Sequence, residues 1–275
     1  MHPPAVAGSF YSGDPAALQS ELQQMLEGVS SSENCRHGEL KALIVPHAGY
    51  IYSGPTAAFA YECLRQHAAR FSRVVLFGPA HRYPVDRLVT HSADYFSTPL
   101  GSIPINRELR ATLCARHYLT EFDPAFEMEH SIEVQLPFLQ AVLDDFSIVP
   151  VIAGQDNSDE ISQILQMLWD EDDVLFVIST DLSHFHHYDI ARQMDHQTID
   201  ATLHLDYEAL DFDHACGRVP LTGVIKACRS LGGEIKLLDA RNSGDTAGDK
   251  ERVVGYASFI VTRNPVQESI TDPTL

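Results

Sequence analysis

Basic residues are scarce in this chain. Nineteen Lys and Arg stand against 38 Asp and Glu in 275 residues, a formal net charge of −19. No cluster of Lys or Arg offsets that deficit locally, so neither nucleic acid nor an anionic membrane surface is expected as a partner. Apolar runs of spanning length are missing, so no transmembrane helix is expected. The opening MHPPAVAGSFYSGDPAAL lacks a basic stretch followed by an apolar core, which argues against a secretory signal. Cysteines are few: Cys35, Cys63, Cys114, Cys216 and Cys228 are odd in number and widely spaced, with no CxxC pair. That pattern predicts neither a disulfide framework nor a zinc ribbon, and it points to a reducing, cytoplasmic compartment. Repeats, low-complexity tracts and linkers are also lacking. A single domain over 1–275 is expected, with the last residues, about ten, frayed.

What is present is an apolar fraction of 44%, arranged as strands alternating with helices. Asp14-Pro15 is a helix start, and Leu18, Leu22, Met25 and Leu26 then fall on one face. KALIV (41–45), RVVLFG (73–78), FSIVPVIAG (146–154) and DVLFVIST (173–180) read as buried strands. GPTAAFAYECLRQHAARF, NRELRATLCARH capped by Asn106, SDEISQILQMLWD, segments near 189–204 and 206–215, and CGRVPLTGVIKACRSLGG read as helices. EMEHSIEVQLPFLQAVL reads as a helix broken at Pro137. Stretch 87–105 reads as extended, with an edge hairpin. EIKLLDARN and RVVGYASFIVTR are late strands. The fold class expected is α/β, a mixed, mainly parallel central sheet flanked by helices.

Three apolar strands each deliver a histidine just beyond their C-terminal end: His47, His81 and His184. Ligands of open α/β sheets bind outside the carboxyl ends of the strands, so neighbouring parallel strands would bring these imidazoles into one crevice. Clustered histidines with an open position suit a catalytic metal or a proton transfer. Singly, each is more often a loop residue bonded to backbone; the repetition favours function. Asp181 precedes His184 by three residues and reads as an orienting carboxylate or as a cap. In EHSIE, Glu129 and Glu133 are expected on one helical face with His130 beside them, a spacing equally common on a solvated acidic surface. Cys216, next to Gly217 and Arg218, is a small buried hydrophobe on local sequence alone.

Six blocks share one order along nearly the whole chain: AGSFY (7–11), PHAGYIYSG (46–54), GPAHR (78–82), EHSIEVQLPFL (129–139), STDLSH (179–184) and CGRVPLTGV (216–224). They resemble the Memo family, known in bacteria and archaea as AmmeMemoRadiSam system protein B. The resemblance implies an α/β fold similar to class III extradiol ring-cleaving dioxygenases, which use non-haem Fe(II). It implies a metal site of His47, His81 and Cys216, reversing the local reading of Cys216. His130, Asp181 and His184 then match residues lining the same cleft.

Iron (Fe2+) is the cofactor this implies. Cysteine replaces the carboxylate of the dioxygenase site, and a thiolate is softer, so copper or zinc is an alternative. Three functions follow. The first is a metal-dependent redox enzyme, with His184 and Asp181 in acid–base roles. The second is a zinc hydrolase with His184 or Glu129 as base. The third is a binding, adaptor or metal-handling module, with Phe10, Tyr11, Tyr50 and Tyr52 as its recognition surface. The partner is a small molecule or peptide. The family name implies companion radical SAM and AMMECR-type proteins.

Overall fold

The computed structural model describes residues 1–29, 35 and 38–263. The expected frayed C-terminus and most of the connector before the first strand lie outside them.

Asp14 caps α1 (Pro15–Glu27) by accepting the Ala17 N–H, and α1 buries Leu18, Leu22 and Leu26. β1 (Glu39–Val45) follows. α2 (Tyr50–Arg65) starts earlier than the sequence pattern suggests and carries Pro55 internally. Its early start has a tertiary cause: the carbonyl of Phe10 accepts the Tyr50 N–H at 2.8 Å, supplying a partner the helix itself cannot. Next come β2 (Arg73–Pro79), β3 (Val89–Thr90) and the expected hairpin, β4 (Tyr95–Thr98) with β5 (Gly101–Pro104). α3 (Arg107–Ala115) is capped by Asn106, and β6 (Thr120–Glu121) follows.

The helix expected across 127–143 is mostly absent. Residues 129–132 form a loop, Glu133–Gln135 a single 3-10 turn, and α4 spans only Leu136–Val142. The Glu129 carboxylate takes the N–H groups of His130 (2.9 Å) and Ser131 (2.8 Å), a local bonding pattern that competes with the helix. Pro137 stands at the start of α4, where its missing N–H costs nothing.

β7 (Ser147–Ala153), α5 (Ser158–Leu168), β8 (Val174–Ser179), β9 (His184–His186) and α6 (Tyr188–Leu203) complete the middle of the chain. The helix expected at 206–215 is reduced to a 3-10 turn at Tyr207–Ala209. His214 Nδ1 takes the Asp211 N–H at 3.1 Å, another side chain claiming backbone a helix would need. α7 (Arg218–Leu231) ends at Gly232 in the left-handed region, φ 70°, where glycine has no Cβ to strain. β10 (Gly233–Asn242) and β11 (Val253–Arg263) close the sheet.

The sheet order is β10-β11-β1-β8-β2-β7-β3-β6, with β9 paired to β11. Its centre, β1-β8-β2-β7, is parallel, and β11 and β3 are antiparallel to it. The expected mixed, mainly parallel α/β fold is therefore present. Alternate strand residues feed two cores. Leu43, Val45, Val74 and Leu76 meet α1, α2 and α4; Ala42, Ile44, Val75 and Phe77 meet α3, α5 and α7. Both faces are covered, which is why these strands read as unbroken apolar runs.

β8 lies between β1 and β2, with Val45 paired to Ser179 and Phe77 to Ile178. The three strands thus end flush at one edge. No helix among the described residues is long and apolar enough to cross a membrane. Cys35 and Cys63 form a disulfide with Cα atoms 5.3 Å apart, contrary to the expectation drawn from spacing. Folding brings the end of α2 beside the segment before β1, a proximity that sequence distance does not disclose.

Candidate metal centre

His47 leaves β1 through Pro46 and is 1% exposed. His81 leaves β2 through Pro79 and Ala80. Cys216 arrives from the other side, at the turn before α7. Its approach depends on Gly217, where a Cβ would lie 2.6 Å from Thr180 Cβ and 2.8 Å from the Ser179 carbonyl oxygen. One ligand atom from each of His47, His81 and Cys216 falls within 4.8 Å of the others. Cys216 Sγ is 3.3 Å from His47 Nε2, close to the roughly 3.5 Å edge that Zn–N and Zn–S bond lengths set in a tetrahedral site.

The tautomers of both rings follow from their neighbours. Ser179 Oγ donates to the Ser131 carbonyl (2.6 Å) and accepts from Gln135 Nε2 (2.8 Å). Its single proton is committed, so His47 Nδ1, 2.8 Å away, must donate to it. The Gln135 amide cannot flip: Nε2 also donates to the Pro46 carbonyl (2.9 Å), and Oε1 accepts from Tyr61 Oη (2.9 Å). His47 Nε2 is left with a lone pair facing Cys216.

His81 is held in the same way by Glu129. The carboxylate accepts the His81 backbone N–H (2.6 Å) and its Nδ1 (2.9 Å). Burial opposes ionisation of Glu129, but His81 and the N–H groups of Ser131 and His81 outweigh it and hold the carboxyl at about 2. His81 therefore donates through Nδ1 and presents Nε2. This carboxylate–histidine pairing is the usual support of a metal-binding imidazole.

The donor chemistry fits a soft or borderline cation. Burial, aided by His81, His130 and His184, keeps His47 well below the ordinary histidine range, so it stays neutral and ligating. Burial and then Asp181 push the Cys216 thiol above its ordinary range. A cation in the triangle would supply the charge that a buried thiolate needs.

The Memo-like protein family matches residues 2–260. This chain belongs to the Memo family. MEMO1 family proteins of known sequence agree along their whole length. One from Methanosarcina barkeri is 38% identical over 275 residues, covering 95% of this chain and 100% of the relative. One from Aquifex aeolicus is 36% identical, covering 94% and 97%. One from Thermoplasma acidophilum is 35% identical, with the same shares. Among solved structures, an uncharacterized protein from Escherichia coli K12 superposes with a TM-score of 0.52 at 15% identity, over 80% of this chain and 99% of that one. It shares the fold.

Around the Memo triad, the other expected residues take different places. His130 stacks on His81, ring centroids 4.6 Å and planes 16° apart, and lies 4.7 Å from the Phe10 ring. Burial, then the charge of His81, lower it to about 4, and its Nδ1 is buried without a hydrogen bond. Glu129 does not share a helical face with Glu133. Its Oε1 accepts from His81 Nδ1 and the N–H groups of His130 and Ser131, and its Oε2 from the His81 N–H, so it orients His81.

Asp181 does not bond to His184 either. Its Oδ1 accepts the His47 N–H at 2.7 Å, and its own N–H donates to Cys216 Sγ at 3.3 Å. It ties two candidate ligands together. Burial raises its carboxyl above the usual range against the pull of His184. His184 sits half-buried on β9, opposite Val254, outside the triad.

The proposed aromatic recognition surface is half core: Tyr11 and Tyr50 are 4% and 1% exposed, whereas Phe10 is half-buried and Tyr52 exposed. Tyr11 Oη donates to Glu133 (2.6 Å) and Tyr50 Oη to the Val134 carbonyl (2.7 Å). Missed by sequence reasoning were Ser179, Gln135 and Tyr61, which fix His47; Glu133, expected on a helical face with Glu129, instead fixes the N-terminal segment. The signal available was a serine ending VLFVIS and a glutamine inside EVQLPFL, polar residues at positions where burial demands partners.

A cavity of about 960 Å³ opens beside the triad, with His81 and Cys216 in its wall. It runs along the 79–87 loop towards the start of α7.

Proposed function

We propose that this Memo protein is a mononuclear metal protein with redox function, and that His47, His81 and Cys216 hold the ion. The observation that carries the reading is the oriented pair: the His47 and His81 rings, held through Nδ1 by Ser179 and Glu129, leave Nε2 free within reach of one cysteine. Ferrous iron is the proposed ion, on the strength of the likeness to extradiol dioxygenases. Copper and zinc are the competing occupants, because one donor is sulfur. Bound there, a redox-active ion would supply electron transfer and an open coordination position. The cavity admits a small molecule to that position. His184 is the proposed acid–base group; it acts on the bound molecule only if that molecule reaches beyond the cavity lining, of which His184 is not part.

The oriented imidazoles also suit a second role, metal handling without turnover. In that case the companion radical SAM and AMMECR-type proteins would be the recipients.

The test is purification without oxygen, metal analysis, and the same for His47→Ala and Cys216→Ser. The redox reading expects about one iron or copper per chain in the wild type, lost from both variants. It also expects that exposure to oxygen oxidises the metal or consumes a supplied reductant. Stoichiometric metal in both variants would refute the site. Redox-inert zinc in the native protein would refute the redox role and leave metal handling or hydrolysis.

A further inference from the structure

Arg82 and Arg218 both line the cavity beside the triad, and neither has a carboxylate partner among the described residues. Arg116, Arg192, Arg229 and Arg252 also lack a carboxylate partner among the described residues, but none of them lines this cavity. Arg87 also lines the cavity, but its Nε is engaged by Asp86 at 3.1 Å, and that pair cancels. Asp156 is the remaining acid of the lining, so the two unpaired guanidinium groups outweigh it.

Arg218 is also held ready. Its guanidinium carbon lies 5.4 Å from the centre of the Phe212 ring, within cation–π range. Its edge donors stay free, the arrangement in which arginine takes a carboxylate with two parallel bonds. Arg218 opens α7, and the positive end of that helix adds to the local field. Arg82 follows His81 directly, so an anion held by the pair lies next to a candidate metal ligand. Tyr83 and Phe122, 5.1 Å apart in an edge-on contact, add aromatic surface to the lining.

We propose that the cavity recognises a small organic anion, an apolar body bearing a carboxylate, with Arg82 and Arg218 as the recognising pair. The proposal rests on the metal-site reading only for where the chemistry happens. The anion site itself needs no ion.

The probe is benzoate, with benzamide as its uncharged counterpart, titrated into the protein as purified and after chelation. Metal content is recorded throughout. Benzoate is expected to bind both forms, and benzamide about tenfold more weakly, the ratio for one charge-assisted hydrogen bond. Arg82→Gln and Arg218→Gln should each weaken benzoate about tenfold at unchanged metal content and melting temperature, while Arg87→Gln leaves it unchanged. Raising salt should weaken benzoate selectively.

Equal affinity for benzoate and benzamide, no benzoate binding, or wild-type affinity in both arginine variants would overturn the proposal. Benzoate binding that disappears on chelation alone would place the carboxylate on the metal, and would overturn it too. A protein that binds no metal yet keeps the arginine-dependent preference would sink the metal reading and leave this one standing.

Discussion

His47 and Ser179 stand 132 residues apart in the chain and are joined by a 2.8 Å hydrogen bond from imidazole Nδ1 to the hydroxyl oxygen. Because the hydroxyl proton is already given to Ser131, this bond sets which nitrogen of His47 is free to ligate. Ser179→Ala removes the acceptor and leaves a buried Nδ1–H unpaired. Metal affinity should fall by about 10–100-fold, and the apo fold should lose about 1–3 kcal/mol. Competition with a chelator and chemical denaturation measure the two separately. Unchanged affinity would show that the tautomer is set elsewhere.

Glu129 should make acid stability depend on its charge. Its folded pKa, about 2, lies below the ordinary carboxylate value, so its contribution is complete above pH 4.5 and is lost as pH falls through 2. The shift corresponds to about 3 kcal/mol. In metal-free protein, denaturation at stepped pH should show this loss between pH 4.5 and 2, and Glu129→Gln should lack it. Parallel pH profiles for the two proteins would contradict the assignment.

Asp195 should act in the opposite sense. It is buried on α6, accepts the Ser183 N–H at 3.0 Å, and is pushed up to about 6 by burial. A raised carboxyl stabilises the fold fully below the unfolded pKa, and that stability is lost as pH rises through 6. Asp195→Asn keeps an acceptor for Ser183 and removes the charge. It should be more stable than wild type at pH 7.5 by about 2–3 kcal/mol, with the advantage gone near pH 3.5. An advantage independent of pH would mean that Asp195 is not the titrating group.

Glu133 holds the N-terminal segment against the site. It accepts from Ala5 N (2.6 Å), Val6 N (3.0 Å) and Tyr11 Oη (2.6 Å), and so places Phe10 against His130. Glu133→Ala leaves three donors without an acceptor. It should cost about 3 kcal/mol or more and open residues 1–12 to proteolysis, while Glu133→Gln should cost less. A wild-type digestion pattern for Glu133→Ala would refute the clamp.

The parallel centre of the sheet was legible because β1, β2, β7 and β8 are buried on both faces, which writes them as unbroken apolar runs. His47 and His81 were legible for a related reason: each follows such a run through a proline. Cys216 was not, since nothing local distinguishes a ligand from a packed thiol; only the order of the motif blocks pointed to it. The 127–135 stretch was misread because helical periodicity carries no record of Glu129 binding backbone N–H groups. The supports of His47 were hidden for a similar reason. Ser179 and Gln135 meet only when β8 and the 3-10 turn before α4 converge, and hydrogen-bond geometry leaves no mark on spacing.

The most direct test of the central claim is the absorption spectrum of the protein loaded with cobalt(II). A site built from His47, His81 and Cys216 predicts a thiolate-to-cobalt charge-transfer band in the near ultraviolet, at about one cobalt per chain. The band should vanish in Cys216→Ser, and cobalt binding should weaken in His47→Ala and His81→Ala. Cobalt bound with no thiolate band, or a band that survives in Cys216→Ser, would contradict the account.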